Sequence, residues 1–261
     1  MKGGLKMQAY KFTLSGKTAF FKKPEMNAFF YFTYGQIHKI ALLGLFGAIL
    51  GLDGYNKQAE TKTDFPEFYE KLHNLKIAIS PQNSNGYINK KMQTFNNSTG
   101  FASYESGGNL IVKEQWLENP VWDIYILVED NEQTKLLIEN LQQRKTTYHL
   151  YLGKNDHFAN ISNGEYVDLA NVMNGEEGQI ASLCLREDIK TLQMEEDDDL
   201  SAEPQENIWQ YEEMLPTTLS EETNHYQQQQ FILTNATIKI MNNADTFFKL
   251  TKTGKIIQFI K

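Results

Sequence analysis

One cysteine in 261 residues, Cys184, excludes a disulfide framework and a thiolate zinc site within the chain. It lies in the apolar run 181–185 (ASLCL), where a free thiol behaves as a small buried hydrophobe. Long apolar runs are also missing. The longest, 40–52 (IALLGLFGAILGL), falls short of the roughly 20 residues that span a bilayer, so it reads as a buried helix. Residues 1–7 carry Lys2 and Lys6 and lead into no apolar core, which predicts a cytoplasmic protein with no secretion signal and no membrane contact. There is no Gly-x-x-x-x-Gly-Lys-Ser/Thr loop for nucleotide phosphates and no Gly-x-Ser-x-Gly elbow for a nucleophile. The five histidines, His38, His73, His149, His157 and His225, have no metal-ligand spacing. We therefore expect no metal and no cofactor. The acidic run 195–199 (EEDDD) reads as a solvated loop.

Positive charge is short overall, with a net charge of −8, which by itself opposes phosphate binding. Its distribution changes that reading. Residues 1–62 hold nine lysines against Glu25, Asp53 and Glu60. Carboxylates dominate 187–222, and the tail from Phe231 is basic again. A chain polarised in this way can present a basic face despite an acidic total.

Periodicity gives a coarse element order. Tyr10, Phe12 and Leu14 alternate with polar residues and predict a half-buried strand, followed by a basic loop over 17–23. Thr33 and Gln36 have capping-box spacing, which predicts a helix from about 33 to 50. Gly44, Gly47 and Gly51 share one side of it and permit close approach of a sheet or a ligand. After a polar linker over 56–64, a short helix is expected over 65–75 and a strand over 76–79. An excursion over 82–108 has arms near 87–96 and 109–116. A strand over 121–128, a helix over 131–143 with Leu136, Leu137 and Leu141 inward, and a strand over 149–152 complete the order. This is a β-α-β-β-α-β pattern, so the expected class is α+β with a ferredoxin-like (RRM-like) core over 7–155. A β-rich extension follows over 156–261, with an acidic loop over 195–206.

The residues most open to a functional reading gather before and at the start of the first predicted helix. Tyr34 and His38 are four apart and share a helix face. Tyr34 has the ring to stack on a base, and His38 and Lys39 are suited to phosphate, beside Lys17, Lys22 and Lys23 in the loop. Spacing alone favours a structural histidine and a solvated lysine. Asn96 and Asn97 are turn formers that also suit RNA contact.

Several segments, in order, resemble the type I-B branch of the CRISPR-associated Cas five family. They are 16–25 (GKTAFFKKPE), 33–51 (TYGQIHKIALLGLFGAILG), 95–100 (FNNSTG), 114–120 (EQWLENP) and 151–155 (YLGKN). The resemblance runs with gaps from Lys11 to Ile161. It implies a RAMP-superfamily core with 82–108 as a β-hairpin thumb. It also implies a place in a Cascade complex acting in antiviral defence. In that family the subunit grips the 5′ handle of the guide RNA, contacts the backbone subunit through the thumb and docks beside the large subunit. On that resemblance Tyr34, His38 and Lys39 are handle contacts, with Lys22, Lys23 and Lys154 beside them. Two other functions fit the residues. One is a metal-independent endoribonuclease using Tyr34, His38 and Lys39, which supply the residue types for acid, base and charge stabilisation. The other is a protein-only adaptor, which the acidic total favours.

The charge pattern sets a first test. Lys22→Glu with Lys23→Glu is expected to weaken handle binding and to flatten its salt dependence, because fewer counterions are released. Titrations at several salt concentrations measure both; unchanged affinity and slope would remove that loop from the RNA site.

Overall fold

The computed structural model describes residues 7–24, 30–101, 104–192 and 207–261. The chain is strand-rich with few helices. Its elements in order are β1 (Gln8–Ser15), β2 (Thr18–Ala19), α1 (Lys39–Leu50), α2 (Tyr55–Thr61), α3 (Glu67–Leu72), β3 (Ile77–Pro81), β4 (Lys90–Asn96), β5 (Ile111–Glu118), β6 (Val121–Leu127) and α4 (Glu132–Gln143). Then follow β7 (Asn160–Asn171), β8 (Glu177–Gln179), β9 (Cys184–Leu185), β10 (Ile189–Thr191), β11 (Gln210–Leu219), β12 (Tyr226–Thr234), β13 (Thr237–Ile240), β14 (Phe247–Leu250) and β15 (Ile256–Gln258). No helix among the described residues is long and apolar enough to cross a membrane. The acidic stretch 195–206 lies outside the described residues.

A six-stranded sheet, ordered β15-β14-β7-β1-β6-β3, forms the centre, and its pairings are antiparallel. The alternation of β1 decides its two faces. Phe12 and Leu14 turn toward α1 and α4 in a cluster with Trp122, Ile124, Phe46 and Leu137. Phe12 and Phe46 meet edge to face at 6.3 Å. Each such fully buried side chain contributes about 1.5–3 kcal/mol relative to an exposed one. Ala9 looks the other way, into a second cluster with Tyr125, Leu169, Phe248, Ile257 and Phe259.

That second face is not an open platform. The sheet curls until its edges meet, and Ile77 and Ile260 exchange both backbone hydrogen bonds. The segment 180–185 fills the rest of the seam: Ala181 donates to the Ile256 carbonyl and Leu183 to that of Ile79. Cys184 is fully buried there, and burial pushes its thiol up to about 12.

Several expectations are corrected. The strand completing the core is β7, not 149–152, where Tyr151 makes only an isolated bridge to Phe158. The boundary expected at 155 therefore falls inside the core, and β14 and β15 join the same sheet. Strand β7 escaped the sequence reading because its pattern is mostly polar and exposed. The excursion expected over 82–108 is the hairpin β4–β5, displaced toward the C-terminus and paired with β2. The linker expected over 56–64 contains α2. Leu136 is exposed on α4, while Leu137, Ile138 and Leu141 face inward.

Helix α1 begins at Lys39 rather than near Thr33. The Thr33 hydroxyl is committed to the Phe21 N–H and the Tyr34 carbonyl. The Gln36 amide accepts from Trp122 Nε1 at 2.8 Å and donates to the Gly86 carbonyl at 2.6 Å. With neither side chain free to cap, residues 33–37 stay outside the helix and His38 becomes the N-cap. The three glycines of this stretch do different work. Gly51 ends the helix in the left-handed conformation, and a Cβ on Gly47 would stand 2.6 Å from Phe68 Cβ. A Cβ on Gly44 would meet nothing within 4 Å.

Urea denaturation checks this division. Gly47→Ala is expected to lose about 1–3 kcal/mol through overpacking against α3. Gly44→Ala is expected to gain about 0.5–1 kcal/mol from helix propensity. Shifts of the same sign would contradict the packing described.

Candidate functional site

The outward side of α1 forms the floor of an open groove of about 890 Å³. Ala41, Gly44 and Ala48 recur at helical spacing and keep the floor low. Near the start of α1 the groove is lined by Lys22, Tyr31 and Lys154; near its end, by Tyr55, Tyr148 and His149. Tyr226, brought in by the β11–β12 hairpin, also lines it. Tyr148 is held in place because its N–H donates to the Ala48 carbonyl. Gly153 is needed where it is: its φ is 88°, and a Cβ there would stand 1.9 Å from the Phe20 carbonyl oxygen.

The basic end combines cations with rings. Lys22 Nζ sits 4.0 Å from the centre of the Tyr31 ring. Lys154 Nζ lies 3.1 Å from Glu114 Oε1 and faces the rings of Phe20 and Phe95 at 5.7 and 5.4 Å. Exposed Lys22 is available to an anion, whereas Lys154 is already shared with a buried carboxylate.

Of the residues singled out from sequence, Lys22, Lys154 and His38 line the groove. Lys23 turns away to Glu213, at 3.6 Å. Lys17 is exposed outside the groove. Asn96 closes a turn by accepting from the Ser98 N–H, and neither it nor Asn97 reaches the groove.

Tyr34, His38 and Lys39 lie close together but are buried, at 1%, 2% and 2% exposure. Tyr34 precedes α1, so the two rings do not share a helix face; they meet edge to face at 5.2 Å. Tyr34 Oη accepts from Gln228 Nε2. Lys39 Nζ donates to the His73 carbonyl at 2.7 Å, and burial lowers its pKa to about 8. His38 Nδ1 accepts the Ala41 N–H, and burial lowers its pKa to about 3. The imidazole is thus neutral at neutral pH with its hydrogen on Nε2.

The sequence reading missed Tyr31, Tyr55, Tyr148 and Tyr226, which come from four separate segments. The signal available was the spacing of Ala41, Gly44 and Ala48, small residues in an otherwise bulky helix. Among the described residues no three His, Cys, Asp or Glu side chains are placed to hold a metal ion.

No protein-family model and no curated protein matches the sequence. Solved structures do match the fold. A chain titled CRISPR RNA-guided surveillance complex superposes with a TM-score of 0.50 at 10% identity, over 87% of this chain and 90% of that one. A CRISPR protein from Archaeoglobus fulgidus gives 0.49 at 12% identity, over 98% and 99%. A chain of a type III-B Cmr-β complex bound to cognate target RNA gives 0.48 at 9% identity, over 95% and 99%. The first of these shows a shared fold: this chain is built like a chain of a CRISPR surveillance complex.

The buried imidazole gives stability a pH dependence. Its folded pKa lies below the unfolded 6.5, so the unfolded chain takes up the proton first. This contribution is complete above pH 6.5 and is lost as pH falls toward 3. Between pH 7.5 and 5.5 it removes about 1 kcal/mol. His38→Asn keeps a capping acceptor without the titration. Unfolding free energies from urea titrations at the two pH values are expected to differ less for the variant by that amount; an equal difference would remove His38 as the cause.

Proposed function

We propose that this chain is a non-catalytic RNA-binding subunit of a type I-B CRISPR surveillance complex, holding the 5′ handle of the guide RNA along α1. The observation that carries the reading is the groove itself. It combines Lys22 and Lys154 at one end with aromatic rings along its length, of which Tyr55 and Tyr148 are exposed, on a fold shared with a surveillance-complex chain. Lysine suits phosphate, and aromatic faces suit unstacked bases whatever their sequence. The strand order β7-β1-β6-β3 around two helices is the order of a ferredoxin-like sheet, which supports a RAMP core. The Cas five resemblance, in its described parts 16–24, 33–51 and 151–155, falls on segments that wall and floor the groove.

The same geometry weighs against the nuclease reading. A general base works best with a pKa near the operating pH, and His38 sits far below it as a helix cap. Tyr34 is committed to Gln228 and Lys39 to a backbone carbonyl. The β4–β5 hairpin carries Phe101 and Tyr104 at its tip, 92% and 90% exposed, a surface suited to the backbone subunit. The large subunit docks alongside, and the complex acts in the cytoplasm.

The test mixes purified protein with labelled repeat RNA in EDTA, read on a denaturing gel and in a binding assay. Binding without a cut is expected. A discrete cut at the base of the repeat hairpin, lost in His38→Ala, would make the chain a processing enzyme. No binding, even with the backbone subunit added, would leave a protein-only adaptor.

A further inference from the structure

Three features of the groove lining are ones that phosphate binding does not use. Gly44 is the first. Glycine is the poorest helix former after proline, yet here it sits inside α1 with open space where its side chain would be. No packing neighbour requires it, in contrast to Gly47 against Phe68. Tyr226 is the second: it lines the groove, and its ring lies 5.3 Å from that of His38. The third is the free edge of His38. Its Nδ1 is taken by the Ala41 N–H, which leaves the hydrogen on Nε2, and no hydrogen bond among the described residues satisfies it. His38 is 98% buried by exposure, yet it lines the groove.

We propose that this stretch receives one unstacked nucleobase of the bound RNA, laid on the bare backbone at Gly44 beside Tyr226 and hydrogen-bonded by His38 Nε2–H. The inference rests on the RNA-binding reading above and names the ligand chemistry of that site. A neutral imidazole N–H suits the uncharged acceptor on a base edge, whereas phosphate is better served by Lys22. The flat, side-chain-free floor suits a planar ring, and a substituent on Gly44 occupies the same volume.

The experiment measures anisotropy of labelled handle RNA and of a panel lacking one base at each position in turn, with the sugar-phosphate chain intact. Wild-type protein is expected to lose about tenfold in affinity at one position. Gly44→Leu, with its melting temperature kept or raised, is expected to bind intact RNA about tenfold more weakly. It should lose nothing further at that same position. If Gly44→Leu fails to fold, His38→Ser keeps the capping oxygen, removes the donor and is expected to show the same loss of sensitivity.

A panel in which no position stands out, or a folded Gly44→Leu that binds intact RNA like wild type, would overturn the slot. Lys22→Glu with Lys154→Glu separates this from the broader reading. If the charge reversal weakens binding while Gly44→Leu does not, the groove holds RNA without a base slot. If neither matters, RNA does not occupy the groove at all.

Discussion

The buried amide of Gln36 sets the path on which the groove depends. It joins the indole of Trp122, in the central sheet, to the backbone at Gly86, at the foot of the β4–β5 hairpin. A buried amide left unpaired costs about 1–3 kcal/mol, so both partners fix its position. With Gln36 held outside the helix, α1 starts at Lys39 and His38 falls on the cap. The register of the small residues follows from that start: Ala41, Gly44 and Ala48 face outward, while Leu42, Leu43, Phe46 and Ile49 go to the core.

Glu213 secures the same segment from the other side. Both its carboxylate oxygens accept from the Gly35 N–H, at 3.0 and 2.9 Å, and it also takes the Tyr211 hydroxyl. The β11–β12 hairpin is thus fastened to the chain just before α1, and Tyr226 is carried to the groove. The C-terminal half is therefore part of the site's construction rather than an appendage. Of the two lysines paired in sequence, Lys23 belongs to this fastening and Lys22 faces the groove. Glu213, Glu114 and Asp123 pair with Lys23, Lys154 and Lys11, so each pair cancels one charge of each sign.

What could be read from sequence was what short-range patterning controls. Strand β1 announced itself through Tyr10, Phe12 and Leu14, and α4 through Leu137 and Leu141. The hairpin followed from two arms around a Ser- and Gly-rich turn. Strand β7 could not be read, because Glu165, Tyr166 and their neighbours are exposed and only pairing with β1 makes them a strand. The capping box at Thr33 misled for a related reason: both side chains are engaged with residues distant in sequence. In the groove, individual lysines were legible as cations. Their direction was not, since Lys22 and Lys23 differ only in which side of an extended segment they leave.

The seam between Ile77 and Ile260 bears on how the protein is made. Sheets closed by contacts between residues so distant in sequence fold slowly, because loop-closure entropy is spent before the contacts that offset it form. A ribosome must deliver Ile260 before the ring can shut, so until then β3 has an unmatched edge. Until then the apolar residues around Ala9, Ala78 and Tyr125 remain open to water and to other chains. Closing the ring therefore falls to a segment far in sequence from the groove, one that contributes no side chain to it.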